Sequence, residues 1–416
     1  MSAVARARRP EAAAEEAESA YAWLRLGAAL ALGTIGSAGL WAIVVVMPSV
    51  ETTFAASRSE VSLAYTSTML GFGLGGIAMG RLSDRFGILR PVAGSAVVLA
   101  AGYALAGWTS TLWQFALVQG ALIGFASGAT FGPLMADISL WFSTRRGIAV
   151  SICASGNYLA GTVWPLVLQH FVDVAGWRQA YIGFAVLSLC TMLPLSLFLR
   201  RPSPRPRVAA ARSGAAAGAG LAALGLTSGQ LQALLIIAGV ACCVAMAMPQ
   251  GHIVAYCGDL GYGVARGAEM LSVMLGCGMV SRIASGWVAD RIGGLRTLLL
   301  GSALQAVALV LYLLFTGLNS LFVISALFGL FQGGIVPSYA IVVRECFPSR
   351  EAGARVGMVV MATLVGMALG GWMSGAIFDL TGAYRAAFAN GVLWNLLNLA
   401  IACWLLRRAR RLVAFA

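Results

Sequence analysis

Twelve apolar runs divide this chain almost end to end, at about 27–49, 61–80, 91–109, 112–136, 147–171, 179–199, 232–254, 267–288, 297–316, 319–342, 352–378 and 385–406. A hydrocarbon layer of about 30 Å is crossed by roughly 20 helical residues, so each run is long enough to span it. None alternates with the period of two that a barrel strand needs. An all-α membrane protein with twelve transmembrane helices is expected. Composition agrees: of 416 residues, 60% are hydrophobic and 10% charged, where a water-soluble domain carries about 25% charged residues. A soluble surface cannot be coated from this material, which excludes a cytosolic enzyme.

The 28 basic residues are all arginine and outnumber 15 acidic ones, giving a net charge of +13. With the amino terminus placed in the cytoplasm, only Arg58, Arg178, Arg266 and Arg385 fall on the outer side, and Arg282 lies within a helix. All other arginines lie in or beside cytoplasmic segments, so both termini are expected there. The surplus is a topology signal rather than a nucleic-acid site, and the basic tail at 407–416 suits anionic lipid. The eight cysteines sit in or beside apolar runs without CxxC or histidine spacing, so neither metal nor disulfide framework is expected. The first twenty residues lack the apolar core of a signal peptide. Short loops and the absence of lysine suggest a bacterial inner (plasma) membrane.

A Pro-, Arg- and Ala/Gly-rich stretch at 200–231 has no apolar helical stripe and reads as a cytoplasmic linker. It separates a six-helix half at 27–199 from another at 232–406, with tails at 1–26 and 407–416. The halves repeat. Gly80-Arg81-Leu82-Ser83-Asp84-Arg85-Phe86-Gly87 returns as Gly286-Trp287-Val288-Ala289-Asp290-Arg291-Ile292-Gly293, an offset of 206. Phe142 and Arg145 match Phe347 and Arg350, and Asp173 with Arg178 matches Asp379 with Arg385, each within one residue of that offset. Parallel repeats of this size are how a transporter builds two bundles around a central site.

The repeated Gly-x-x-x-Asp-Arg-x-Gly segments follow helices 2 and 8. Their glycines allow tight turns and close helix approach, and Asp84, Arg85, Asp290 and Arg291 are placed to pair across bundles or cap a helix end. A structural latch formed by Gly80, Asp84, Arg85, Gly87, Gly286, Asp290, Arg291 and Gly293 is expected, joined by Asp137 through Arg85 or Arg145. The loop after helix 2 resembles the most recognisable signature of the major facilitator superfamily. Trp141-Phe142-Ser143-Thr144-Arg145-Arg146-Gly147 with Ala149, Gly156 and Gly161, and Arg282-Ile283-Ala284-Ser285-Gly286, are similar to its monocarboxylate and oxalate/formate transporter branch. The resemblance implies the major facilitator fold of two pseudo-symmetric bundles, alternating access, secondary transport, and Arg282 as a carboxylate anchor.

Arg282 stands out without the family. An arginine in the apolar part of a helix costs about 2.5–3.5 kcal/mol on insertion scales, so something must offset it. Every acidic residue lies in a tail or at a helix end, and the repeat-related position is Gly76, so the charge belongs to one half only. Two readings stand: Arg282 meets a carboxylate brought by substrate, through paired hydrogen bonds, or it reaches Asp290, about 12 Å along the helix, or Asp137. Asn157, His252, Gln332 and Tyr339 are further substrate-binding candidates, each with helix-to-helix hydrogen bonding as the alternative.

Many monocarboxylate transporters carry an acid one turn before this arginine, where this chain has Gly278. Lysine being absent, no second cation joins Arg282, which favours a monoanion. The sequence contains no GxSxG elbow, Walker loop or HExxH pair, so neither an enzyme nor an ATP-driven pump is expected. The expectation is a cofactor-free, monomeric carrier of a small monocarboxylate or other organic anion, by proton symport or anion exchange. A drug exporter of the same fold and a non-transporting membrane sensor are the alternatives.

Overall fold

The computed structural model describes residues 18–142, 145–201 and 225–414. The first tail residues, Ser143, Thr144 and most of the expected linker lie outside the described residues. Among those described there are helices and no strands. In chain order they form α1 (Ala20–Phe54), α2 (Arg58–Phe86), α3 (Leu89–Gly107), α4 (Leu112–Ile138), α5 (Arg146–Ala175), α6 (Trp177–Leu199), α7 (Ser228–Asp259), α8 (Val264–Ile292), α9 (Gly294–Leu314), α10 (Leu318–Cys346), α11 (Ser349–Thr381) and α12 (Tyr384–Ala414). Eleven are long and apolar enough to cross a membrane. The exception is α5, whose length suffices but whose interior carries Ser151, Ser155, Asn157 and Thr162.

The helices outrun the apolar stretches at their ends. Ser19 caps α1, its hydroxyl accepting from the amide of Ala22, and α12 continues through the basic stretch to Ala414. Positive-φ glycines stop α2 at Gly87 (φ 78°) and α8 at Gly293 (φ 84°), which explains why both motif copies keep that glycine.

Close backbone contacts build each bundle, and they repeat. On α2, Cβ atoms at Gly71 and Gly75 would fall 2.0 Å from the carbonyl oxygens of Gly120 and Phe125 on α4. One repeat later, a Cβ at Gly329 of α10 would fall 1.9 Å from the carbonyl oxygen of Met274 on α8, and one at Gly333 would fall 2.3 Å from that of Gly278. Without a hydrophobic drive between helices in lipid, such small-residue seams let dispersion and packing hold them. Both α4 and α10 are broken where these seams end, at Gly128–Phe131 and at Gly333–Gly334. The two six-helix bundles meet through the second half of α1 against α7, α2 against α11, and α5 against α8. The first half of α1 packs within its own bundle.

One charged bolt fixes that first half. The fully buried Arg25 donates through Nε and Nη2 to the two carboxylate oxygens of Asp137, both at 2.8 Å, and through Nη1 to the carbonyl of Arg201 at 3.0 Å. Its guanidinium also lies 4.7 Å from the Trp141 ring centroid. The expected partner of Asp137 was Arg85 or Arg145; the structure instead gives it Arg25, because α1 lies against α4 while Arg85 and Arg145 are exposed. Breaking a buried pair of this kind leaves one charge uncompensated, at a cost of about 3–5 kcal/mol.

Candidate substrate site and far-side clasp

Arg282 lies on α8 ten residues, or about 15 Å, before the helix end at Ile292. Its guanidinium crosses to the other bundle. The carbon Cζ sits 4.3 Å from the ring centroid of Tyr158 on α5, and Nη1 donates a long hydrogen bond of 3.4 Å to the carbonyl of Ala154. Nε is buried with no hydrogen-bond partner among the described residues. Neither expected internal carboxylate reaches it: Asp137 belongs to Arg25, and Asp290 is exposed with no ion pair among the described residues. The approach depends on two glycines. A Cβ at Gly278 would lie 2.4 Å from Cε1 of Tyr158, and one at Gly333 would lie 3.1 Å from the backbone nitrogen of Arg282.

Asn157 and Gln332 share this level. Asn157, half-buried, follows Ala154 by one turn on α5, and its carbonyl accepts from Nε1 of Trp41 at 3.0 Å. Gln332 precedes the α10 break; its Oε1 accepts from Nε2 of Gln250 on α7 at 2.7 Å, while its own buried Nε2 has no partner among the described residues. Gln250 and Tyr158 were not among the sequence candidates, since nothing in one chain's spacing marks which polar residue faces a neighbouring bundle. Tyr339 stands apart from this cluster. It is fully buried and donates to Oδ1 of Asn398 at 2.7 Å, while Asn398 donates to the hydroxyl of Ser302 at 2.7 Å, joining α10, α12 and α9.

His252 also lies elsewhere, in a clasp on the side opposite the chain termini. Its Nε2 is 2.8 Å from the carbonyl of Gly371 and its Nδ1 is 3.1 Å from the hydroxyl of Tyr384. That hydroxyl accepts from Nη1 of Arg58 at 2.6 Å. Arg58, buried at the start of α2, is 2.7 Å from Glu51 through Nε and 3.1 Å from Asp259 of α7 through Nη1, and it lies over the Phe378 ring at 4.7 Å. Asp379 of α11 completes the clasp: its two oxygens accept from the backbone amides of Arg58 and Ser59, at 3.0 and 2.8 Å. A carboxylate from one bundle thus caps the amino terminus of a helix in the other, where unsatisfied amides and the helix dipole favour negative charge. The outside position of Arg58 and the repeat match of Asp379 were visible in sequence; their meeting was not.

On the terminus side the repeated loops stand apart. Asp84, Arg85, Asp290 and Arg291 are exposed, with Arg85 against the Phe86 ring (5.2 Å) and Arg291 against Trp287 (3.8 Å). Cβ atoms at Gly80 and Gly286 would meet no described residue within 4 Å, so the close helix approach expected of these two glycines is not made among the described residues. Arg145 is exposed, its backbone amide donating to Glu18 at 2.8 Å. Instead of an Asp from these loops, Glu345 takes the amide of Gly294 at the start of α9, at 3.0 Å. The structure is therefore clasped on the far side and parted at the terminus-side motifs.

Known proteins agree with this architecture. The family model described as Major Facilitator Superfamily matches residues 29–320 and 270–415. A protein named monocarboxylate transporter 13 from Bos taurus is 29% identical over 318 residues, covering 74% of this chain and 71% of the relative. The fungal MFS-type transporter pynF of Aspergillus niger is 25% identical over 78% of this chain and 74% of its own length. Among solved structures, a bacterial homologue of the human lysosomal transporter Spinster superposes with a TM-score of 0.72 at 14% identity, covering 95% of this chain and 98% of that one. The nucleoside transporter NupG gives 0.69 at 16% identity, with 94% and 99% covered. The chain belongs to the Major Facilitator Superfamily and is a multi-pass membrane transporter.

Proposed function

We propose that this transporter moves a small monocarboxylate, or a similar organic monoanion, by alternating access around Arg282, as proton symport or anion exchange. The observation that carries the reading is the guanidinium that spans from α8 to α5 with a buried, unpartnered Nε and no protein carboxylate among the described residues. An arginine at this depth is held by a cavity or a polar partner, and its planar fork matches a carboxylate through two parallel hydrogen bonds. Asn157 and Gln332, at the same level, offer amide groups for the rest of the substrate. The relatives named monocarboxylate transporter 13 support this class of cargo.

With both termini in the cytoplasm, the clasp around Arg58 and Asp379 is the outer gate, closed, and the paired Asp-Arg loops are the latch of the opposite state. The relatives similar in sequence are mammalian and fungal, so the proposal extends to a cell membrane rather than to the bacterial inner membrane expected from the sequence. Among relatives, a protein of Emericella nidulans named aspyridones efflux protein is 23% identical, which supports a drug exporter of the same fold as the second reading.

Uptake of radiolabelled L-lactate into proteoliposomes separates the two. Carboxylate transport should fall at least roughly tenfold in Arg282→Ala, because about 1.4 kcal/mol of lost anion binding already gives that factor. Arg282→Lys should restore only part of it. Uptake unchanged by both substitutions contradicts the anchor role.

A further inference from the structure

We propose that His252 makes the far-side clasp a pH-operated gate, which a neutral imidazole holds shut and a proton on that imidazole releases. The inference rests on the reading of the clasp as the gate of that side, and it holds for any cargo.

Donors and acceptors fix the state of the closed clasp. The carbonyl of Gly371, 2.8 Å from Nε2, can only accept, so Nε2 carries a hydrogen. In a neutral imidazole Nδ1 is then an acceptor, and the atom 3.1 Å from it is the hydroxyl of Tyr384. That hydroxyl already accepts from Nη1 of Arg58 at 2.6 Å, so its own hydrogen goes to Nδ1. One unbroken line of donors therefore runs from Arg58 of α2 through Tyr384 of α12 and His252 of α7 to Gly371 of α11. Both ends of the line lie on the contact between the bundles: Arg58 belongs to the opposite bundle, and a Cβ at Gly371 would lie 2.5 Å from Cδ1 of Tyr65 on α2.

A proton on Nδ1 reverses the middle of that line. The imidazolium donates at both nitrogens, so the Tyr384 oxygen faces two cationic donors and its own hydrogen loses its acceptor. His252 is 1% exposed, so the displaced bond is not made to bulk water. Two like charges then stand on either side of one oxygen in a low-dielectric setting. Among the described residues no carboxylate is bonded to His252. Glu51 of α1 and Asp259 of α7 both bind the Arg58 guanidinium, and Asp379 of α11 binds the amides of Arg58 and Ser59. Of the other neighbours, Tyr256 stands edge-on to the Tyr384 ring, Arg385 is exposed, and α8 brings the surface pair of Arg266 and Glu269. The proton is accommodated when Arg58 leaves Tyr384, and that bond is one of those joining the bundles. Proton uptake therefore favours the open far side, and by linkage one such group shifts the balance at most about tenfold per pH unit.

The test follows a cysteine placed at Ser62, which is fully buried beneath Arg58. The full-length protein in membrane vesicles, without substrate, meets an impermeant thiol reagent on the far side at about pH 7.5 and about pH 5.5, on either side of the ordinary histidine value of about 6.5. Each labelling rate is divided by that of the same cysteine in the Asp379→Asn background, which removes the pH dependence of thiol chemistry. On acidification the ratio is expected to rise by roughly fivefold to tenfold, the upper figure being the limit for one group that titrates near pH 6.5 once open. His252→Gln, whose amide can donate to Gly371 and accept from Tyr384 without titrating, should keep the ratio low and equal at both pH values. Should that variant not fold, His252→Asn takes its place. A ratio that does not change with pH in the parent, while Asp379→Asn labels faster, overturns the switch and leaves the gate. A rise as large in His252→Gln as in the parent assigns the titration to another group and overturns the role of His252. Labelling no faster in Asp379→Asn than in the parent at the higher pH overturns gate and switch together.

Discussion

At the level of single residues, the depth of Arg282 was legible because a charge inside an apolar run is conspicuous and its repeat-related position is Gly76. Its surroundings were not legible. Tyr158 reaches it across a bundle interface, and no spacing within one helix encodes that. Burial decides between candidates that look alike in sequence. Tyr339 and Asn157 are both polar residues in membrane helices, but the tyrosine hydroxyl is spent on Asn398 inside its own bundle. Tyr339→Phe should accordingly leave the KM for lactate within about twofold while lowering stability by about 0.5–1.5 kcal/mol, the usual net value of one hydrogen bond. Thermal unfolding and uptake on the same preparation check this. A large rise in KM with unchanged stability would return Tyr339 to the substrate path.

At the level of helices, number and approximate extent followed from apolar runs. The interruptions of α4 and α10 did not, because an apolar run reads the same whether or not its hydrogen-bond ladder is continuous. The far-side clasp is also an element-scale device: α11 caps α2 through Asp379, while α7 and α12 hold Arg58. Carboxylates at helix amino termini contribute about 0.3–1 kcal/mol when exposed and up to about 2 kcal/mol when partly buried. Asp379→Asn should therefore shift the balance toward an open far side by up to roughly thirtyfold. Ser62, fully buried beneath Arg58 and facing Gly375, reports this shift. A cysteine placed at Ser62 should be protected from an impermeant thiol reagent on the far side in the parent and labelled in the Asp379→Asn background. Equal labelling in both would show that the clasp does not set the conformation.

For the molecule as a whole, the internal repeat announced two bundles, and the family resemblance named their arrangement. What a repeat cannot state is which of its two ends is closed, since both motif copies persist in every conformation of such a carrier. Here the ends differ, with a charged clasp on one side and exposed Asp-Arg loops on the other, and Arg282 lies on the α5–α8 contact between them. Ligand binding stabilises a folded protein by mass action. The decisive measurement is the thermal unfolding of the purified protein with and without saturating L-lactate or pyruvate, in wild type and Arg282→Ala. The guanidinium account predicts a rise in Tm for wild type that disappears in the variant. An equal rise in both proteins, or none in wild type across short monocarboxylates, would contradict it.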